Sequence, residues 1–375
     1  MGGIYIHIPF CKQACNYCDF HFSTSLKKKS DLIAALINEI RIRSLEFNNE
    51  VVETIYFGGG TPSILSSSEL QIIINELYSN YKITENPEIT LEANPDDLSN
   101  ERILEIANSP INRLSIGIQS FFDADLQLMN RAHNALEAKK SLEFATKYFK
   151  NISIDLMYGL PNMSAEKWKQ NIETALEFKI PHISSYALTV EPKTALQTLV
   201  NNGKIAIPKD ELAQEHFEIL VELLTKNEYI HYELSNFGKE HFFSKNNSSY
   251  WLGKKYLGFG PSAHSFDGTT RSWNISNNSL YINSLHKNIL PSESEKLTKT
   301  DLYNEMVMTG LRTIWGVSLV QIKEDFGQIY INYISKQAQK FIENNLLCIE
   351  NNNLKTTKKG KFLIDGIASD LFYIN

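Results

Sequence analysis

Cysteine is scarce in this chain, with four residues in 375. So few thiols do not make the disulfide framework of an oxidising compartment, and a reducing, cytoplasmic location is expected. Long apolar runs are missing as well. None approaches the roughly 20 residues that span a bilayer, which excludes a transmembrane helix. Strand-like YIHI follows Met1 almost at once and leaves no room for a signal peptide. Basic charge is not in excess: the net charge is -6 and the pI about 5.9. That argues against a broad polyanion-binding surface and against a nucleic-acid partner. Lys27, Lys28 and Lys29 read as a solvated turn, and peripheral membrane contact stays open because net charge does not decide it. No internal repeat is present. What remains, 42% apolar and 21% charged residues over a length that can bury a large core, fits one large globular domain with a smaller one.

Three of the four cysteines, Cys11, Cys15 and Cys18, fall within eight positions in HIPFCKQACNYCDF. Thiolates favour iron–sulfur clusters or zinc. A structural zinc site closes with four protein ligands. No fourth ligand lies nearby, so the x3-then-x2 spacing points to a cluster iron that keeps one position open. Cys348, in LLCIE, reads as a small core residue. Gly58, Gly59, Gly60, Thr61 and Pro62 follow the apolar strand VETIYF. Successive glycines permit unusual φ angles and close backbone approach to a ligand, so the segment reads as a binding loop or a tight turn. It is not a P-loop, because the Lys-Ser/Thr ending is absent.

The first half alternates short apolar strands (4–8, 52–57, 88–92, 113–118, 152–157 and 183–188) with segments of helical periodicity (31–47, 68–80, 100–107, 134–148 and 165–178). In 31–47, Leu32, Leu36, Ile40 and Leu45 form the apolar stripe, with Glu39 and Arg43 paired on the solvent side. Such βα units imply a parallel sheet; six are too few for a closed eight-stranded barrel and suit an open, curved one. Glu92, Gln119 and Asp155 lie near strand ends, where parallel sheets carry their sites. A helix is expected over 209–227, an Asn/Ser-rich loop at 244–249, and a shaped loop at 256–264 (YLGFGPSAH). A boundary is placed around 288–300. Helices at 301–311, 318–325 and 329–345, then a hairpin and a last helix, would complete the chain.

Taken together, HIPFCKQACNYCDF, FGGGTP, LEANP, GIQSF, NRAH and DLMYGLP resemble the radical S-adenosylmethionine (SAM) enzymes. Within them the chain resembles the branch that holds oxygen-independent coproporphyrinogen oxidase and its relative, the heme chaperone HemW. The motifs spread over nearly the whole chain. The resemblance implies an α/β fold: a (β/α)6 partial TIM-type barrel over 1–290 and a smaller, mostly helical C-terminal domain over 291–375. It implies a [4Fe–4S] cluster on Cys11, Cys15 and Cys18, whose fourth iron takes the amino and carboxylate groups of SAM. Gly59, Gly60 and Thr61 would lie beside the methionyl part, with Tyr5, Tyr17 and Glu92 as further cofactor contacts. Gln119, Arg131, Asp155 and Ala187 match positions that hold a second cofactor molecule in the oxidase.

Two departures bear on the function. Where the oxidase has a fourth cysteine two residues past the last ligand, this chain has Phe20, as the chaperone branch does. NNSSYW at 246–251 resembles the chaperone motif His-Asn-x-x-Tyr-Trp, with Asn246 in place of the histidine and Asn247, Tyr250 and Trp251 matching. An amide is a poor heme-iron ligand, which leaves His241 and His264 as neighbouring alternatives. The resemblance therefore implies heme as a third cofactor or cargo, a heme acceptor protein that is membrane-associated, and an electron donor for any radical chemistry. Coproporphyrinogen oxidation, or another radical reaction on a tetrapyrrole, is the rival reading.

Overall fold

The computed structural model describes residues 2–47 and 50–374. Six strands, β1 (Gly2–Ile8), β2 (Val52–Gly59), β3 (Ile83–Ala93), β4 (Arg113–Gln119), β5 (Asn151–Tyr158) and β6 (His182–Ala187), pair in parallel and in chain order. The connections carry α1 (Lys29–Ile42), α2 (Ser67–Asn80), α3 (Asn100–Ala107), α4 (Asp123–Leu128), α5 (Ala135–Ala145) and α6 (Ala165–Glu177). Their starts are set by side-chain caps. Ser66 with Glu69 and Asn134 with Glu137 form capping boxes, and Ser99 and Ser164 accept from the third residue inside their helices.

Side chains alternate along each strand. One face of β1 carries Ile4, Ile6 and Ile8, all buried in the same core as Leu32, Leu36 and Ile40 of α1. The other face carries Tyr5 and His7. The same division gives Tyr56 and Gly58 on β2, Glu92 on β3, Arg113 and Ser115 on β4, Asp155 on β5 and Ser184 on β6. The outer layer is a packed apolar core; the inner surface is polar, which suits a site rather than a filled barrel.

The barrel stays open. Beyond β6 the sheet turns antiparallel through β7 (Ile230–His231) and β8 (Asn236–Gly238), after α7 (Ala195–Asn201) and α8 (Asp210–Lys226). Along its other edge β1 pairs in parallel with β9 (Lys255–Phe259), which leads into antiparallel β10 (His264–Phe266), β11 (Thr270–Asn274) and β12 (Ser292–Lys296). The segment expected as a shaped loop at 256–264 is therefore strand β9 and its turn. The glycines hid it: Gly258 packs against the His264 carbonyl, where a Cβ would come within 2.1 Å. The expected loop at 244–249 is also regular. It forms α9 (Lys245–Trp251), capped by the Ser244 hydroxyl, with the Lys245 and Asn246 amides donating to Glu88 Oε1.

Glu39 and Arg43 do pair, at 3.0 Å, but they are buried rather than facing solvent. Glu39 also accepts from the Gly260 amide, Asn274 and the Tyr281 hydroxyl on α10 (Asn278–Leu285), so it ties α1 to the added strands. Leu45, expected in the stripe, lies past the helix end and is 75% exposed. A second apolar cluster forms from α11 (Lys299–Leu311), the helix Gln328–Glu343, the sheet β13 (Val317–Ser318), β14 (Leu347–Glu350) and β15 (Asn353–Thr356), and the helix Ile364–Asp370. Cys348 sits half-buried on β14 and is not a core residue.

Candidate functional site

The cysteine run leaves β1 at the carboxyl end of the barrel, and the glycine loop leaves β2 beside it. Two backbone bonds join them: the Gly60 amide to the Ile8 carbonyl at 2.9 Å and the Thr61 amide to the Phe10 carbonyl at 2.7 Å. A Cβ on Gly60 would lie 2.6 Å from the Phe10 carbonyl oxygen, so glycine is required by the protein's own backbone. At Gly59, φ is +109° and a Cβ would meet the His7 ring, a second reason for glycine. Thr61 bonds the Cys11 thiol. His7 Nε2 faces the His21 carbonyl at 3.0 Å and therefore carries the hydrogen, leaving Nδ1 to accept from the Tyr5 hydroxyl at 3.2 Å. Burial pushes the His7 pKa down to about 4, so this brace is neutral.

Cys11, Cys15 and Cys18 line one cavity of about 470 Å³ with Tyr17, Gly59, Gly60, Thr61, Glu92, Gln119, Arg131, Asp155 and Ala187. Among the described residues no three His, Cys, Asp or Glu side chains converge to hold one metal ion. Thiols spread around one cavity wall fit a polynuclear cluster, in which each thiolate takes its own iron, better than a single tetrahedral ion. Burial pushes the Cys18 thiol up to about 11 and raises Cys11 as well, so thiolates there call for a cationic partner.

Below the mouth stand two half-buried carboxylates that line the cavity. Glu92 accepts from the Tyr56 hydroxyl at 2.8 Å. Burial pushes Glu92 up to about 7 and Asp155 up to about 6; Arg113, itself fully buried, pulls both down. Asp155 is bonded to the Ser184 hydroxyl. Arg131 donates to Asn94 Oδ1 at 2.7 Å and to the Gly117 carbonyl at 2.8 Å, and faces Cys15 Sγ and the Tyr17 hydroxyl at 3.4 Å each. Gln119 holds a φ of +65° where β4 bulges against β5. Tyr5 lies a layer deeper, stacked on Tyr56 at 6.1 Å and outside the cavity wall. This arrangement can present oxygen acceptors, a guanidinium and backbone edges to a zwitterionic, cationic cofactor. Asn94, Ser115, Gly117 and Tyr186 also line it and were not singled out from sequence; the period-two alternation of their strands is the signal that finds Ser115, Gly117 and Tyr186.

A second cavity, about 930 Å³, opens between the two apolar cores, on the side of the strands' amino ends. Tyr250 and Trp251 line it. Asn247, His241 and His264 do not: Asn247 lies in the first turn of α9, its amide held by Ser244 at 3.3 Å, and His241 lines a separate polar hollow with Glu85 and Asn112. His264 is exposed beside Trp273. Asn246 is buried beneath the barrel, accepting from the Thr54 hydroxyl at 3.1 Å, and it does not face the cavity.

The chain matches the family model of the radical SAM superfamily over residues 5–180 and that of the HemN C-terminal domain over 297–363. It is 34% identical over 374 residues to the heme chaperone HemW of Lactococcus lactis, covering 97% of each chain. It is 33% identical over 367 residues to that of Bacillus subtilis, again covering 97% of each. Among solved structures, coproporphyrinogen III oxidase of Escherichia coli superposes with a TM-score of 0.85, at 21% identity, over 99% of this chain and 89% of that one. That likeness establishes the fold: a central parallel sheet of six βα units with a C-terminal region beyond it.

Proposed function

Because this chain belongs to the radical SAM superfamily, in the family of the heme chaperone HemW, we propose that it binds heme and hands it to an acceptor protein. Membership brings the [4Fe–4S] cluster and SAM with it. Cys11, Cys15 and Cys18 would hold the cluster. The polar roof of the barrel, with Glu92, Asp155, Gln119 and Arg131, would hold SAM beside Gly59, Gly60 and Thr61, with Tyr17 and Ala187 on the wall and Tyr5 bracing from below. When bound and reduced, the cluster supplies an electron for cleavage of SAM, and that use requires an electron donor. The protein's own part is to bring two glycine-loop amides onto the cysteine strand and to hold two half-buried carboxylates and a guanidinium on one cavity wall.

The observation that carries the chaperone reading over the oxidase is Phe20. It stands at the cavity mouth, 68% exposed, where the oxidase pattern has a thiol. We place the protein in the cytoplasm, whose reducing conditions suit four free cysteines, and read its acceptor as a membrane-associated protein. No helix among the described residues is long and apolar enough to cross a membrane.

The test is an anaerobic reconstitution to near four irons per chain, followed by parallel assays with heme and with coproporphyrinogen, SAM and a working reductant. Saturable heme binding without turnover, and transfer to an acceptor apoprotein faster than passive release, is the expected result. Multiple turnovers of coproporphyrinogen would establish the oxidase instead. Zinc in place of iron, unchanged in Cys→Ala variants, would remove the cluster assignment.

A further inference from the structure

The two ends of the barrel are joined through its interior by one row of hydrogen bonds. Asp155, in the cofactor cavity, is bonded to the Ser184 hydroxyl on β6. Ser184 Oγ stands 3.3 Å from Ser153 Oγ on β5, which stands 2.6 Å from His182 Nδ1. His182 Nε2 lies 2.7 Å from the Tyr232 hydroxyl, and that oxygen accepts from the Ser244 amide at 3.3 Å. Ser244 is the N-cap of α9, whose Tyr250 and Trp251 line the larger cavity with Met306 and Trp315. Ser184, Ser153, His182 and Tyr232 are buried and line neither cavity.

The hydrogen positions along this row follow by elimination. Burial keeps His182 neutral, so its ring carries one hydrogen. If Nε2 held it, the Tyr232 hydroxyl would be left as a buried donor without an acceptor, which is costly. The Tyr232 hydrogen therefore points to Nε2, the Nδ1 hydrogen to Ser153, and the Ser153 hydrogen to Ser184. Every donor faces the Asp155 end, and donors aligned in one direction polarise one another. Ser184 alone has a choice: its single hydrogen can meet Asp155 or Asn236 Oδ1, which lies at 2.6 Å. Asp155 itself faces the cations Arg113 and Arg131, the Glu92 carboxyl, and the phenols of Tyr56 and Tyr186. We propose that this row is a relay with Ser184 as its switch: a cationic cofactor seated at Asp155 draws the Ser184 hydrogen to the carboxylate and tightens the cap of α9. Ser184, Ser153, His182 and Tyr232 are positioning residues, acting through Asp155 at one end and Ser244 at the other. The inference rests on the SAM-binding reading above, and it supplies the two-state element that coupling between separated sites requires.

The experiment is amide hydrogen exchange of the reconstituted full chain, with and without saturating SAM, read in peptides that cover 240–251. SAM occupancy is followed separately through the electron paramagnetic resonance signal of the reduced cluster. The expected result is slower exchange around Ser244 when SAM binds, by about fivefold, the lower end of the coupling between linked sites. Ser153→Ala breaks the row without touching α9 and should abolish that response while SAM still binds. Tyr232→Phe should do the same, and both changes keep the side-chain shape closely enough to fold, a point checked by thermal unfolding. Glu88→Gln is the control. It loosens the Lys245 and Asn246 amides directly, so it should speed exchange yet leave the response to SAM. A SAM response that survives in both Ser153→Ala and Tyr232→Phe would mean that the row only supports the fold, and would overturn the relay. So would a wild-type protein whose α9 ignores bound SAM. Absence of any SAM effect on the cluster signal would overturn the cofactor reading and the relay with it.

Discussion

Gly60→Ala is the smallest change that should disable the cysteine site. The added Cβ would sit 2.6 Å from the Phe10 carbonyl oxygen and 2.8 Å from both the Ile8 carbonyl oxygen and the Phe10 nitrogen. Contacts so short cannot be relieved by turning a side chain, because all three atoms are backbone. The loop must lift off β1, and the bonds from Gly60 to Ile8 and from Thr61 to Phe10 lengthen or break. Overpacking of this kind costs about 1–3 kcal/mol, and each lost bond about 0.5–1.5 kcal/mol. A combined cost of about 2–6 kcal/mol shifts the balance between seated and lifted loop by roughly 30- to 25,000-fold. The core on the far face of the sheet is untouched, so the variant should fold and melt as a cooperative unit. The assay is iron and sulfide content after identical reconstitution, with the rate of cluster loss on dilution and the perturbation of the reduced cluster's electron paramagnetic resonance signal by SAM. A Gly60→Ala protein with full iron, unchanged cluster lifetime and a normal response to SAM would refute the reasoning, since it would show that the two loops need not touch.

Glu39→Gln should destabilise the barrel by about 1–3 kcal/mol, because it weakens the bonds to buried Arg43, which keeps Glu46 at 2.9 Å; urea unfolding read through tryptophan fluorescence measures it, and no measurable loss would contradict the role given to this carboxylate. Glu92 is held by burial at about 7 against an ordinary 4.5, so the folded chain keeps a proton that the unfolded chain releases. In the cofactor-free protein its contribution should therefore fall as pH rises from about 4.5 through 7. Glu92→Gln should lose that part of the slope, seen as a wild-type-to-variant difference in urea midpoint that changes between about pH 5 and about pH 8. Arg131→Lys should retain charge yet lose the bonds to Asn94 and the Gly117 carbonyl together, weakening the SAM-induced spectral change by about 1–3 kcal/mol.

The six barrel strands and their helices were legible in the chain because period-two and period-3.6 patterns are local, and capping residues mark where they change. The helices expected from 68 and from 134 start one residue away, next to Ser66 and Asn134, where a cap rather than an apolar residue sets the start, and the helix expected over 31–47 ends early, at Ile42. What failed was set by partners distant in sequence. YLGFG forms β9 only because β1 offers an edge, and its glycines, which read as loop, are there for the close approach of His264. NNSSYW forms α9 because Ser244 caps it and Glu88 accepts its first amides. Arg43 looks solvent-facing on a helical wheel and is buried because β9 and β10 cover it. The cysteines and glycines of the mouth were readable as a unit, since a run of unusual residues needs no partner to be noticed. The floor of the barrel was not: Tyr250 and Trp251 are separated from Met306 and Trp315 by more than fifty residues, and only the fold brings them to one wall.

Helix α9 closes the barrel at the amino ends of the strands, while the cysteines occupy the carboxyl ends. Seven residues of β1 at about 3.3 Å each put roughly 20 Å between these levels. A radical made at the mouth acts on atoms in van der Waals contact with it, so a cargo seated beyond α9 is out of reach of hydrogen abstraction. Any influence of the cofactor site on that cargo must then be a coupling free energy carried by the polar layers between them, measurable as the same factor by which each ligand changes the affinity for the other.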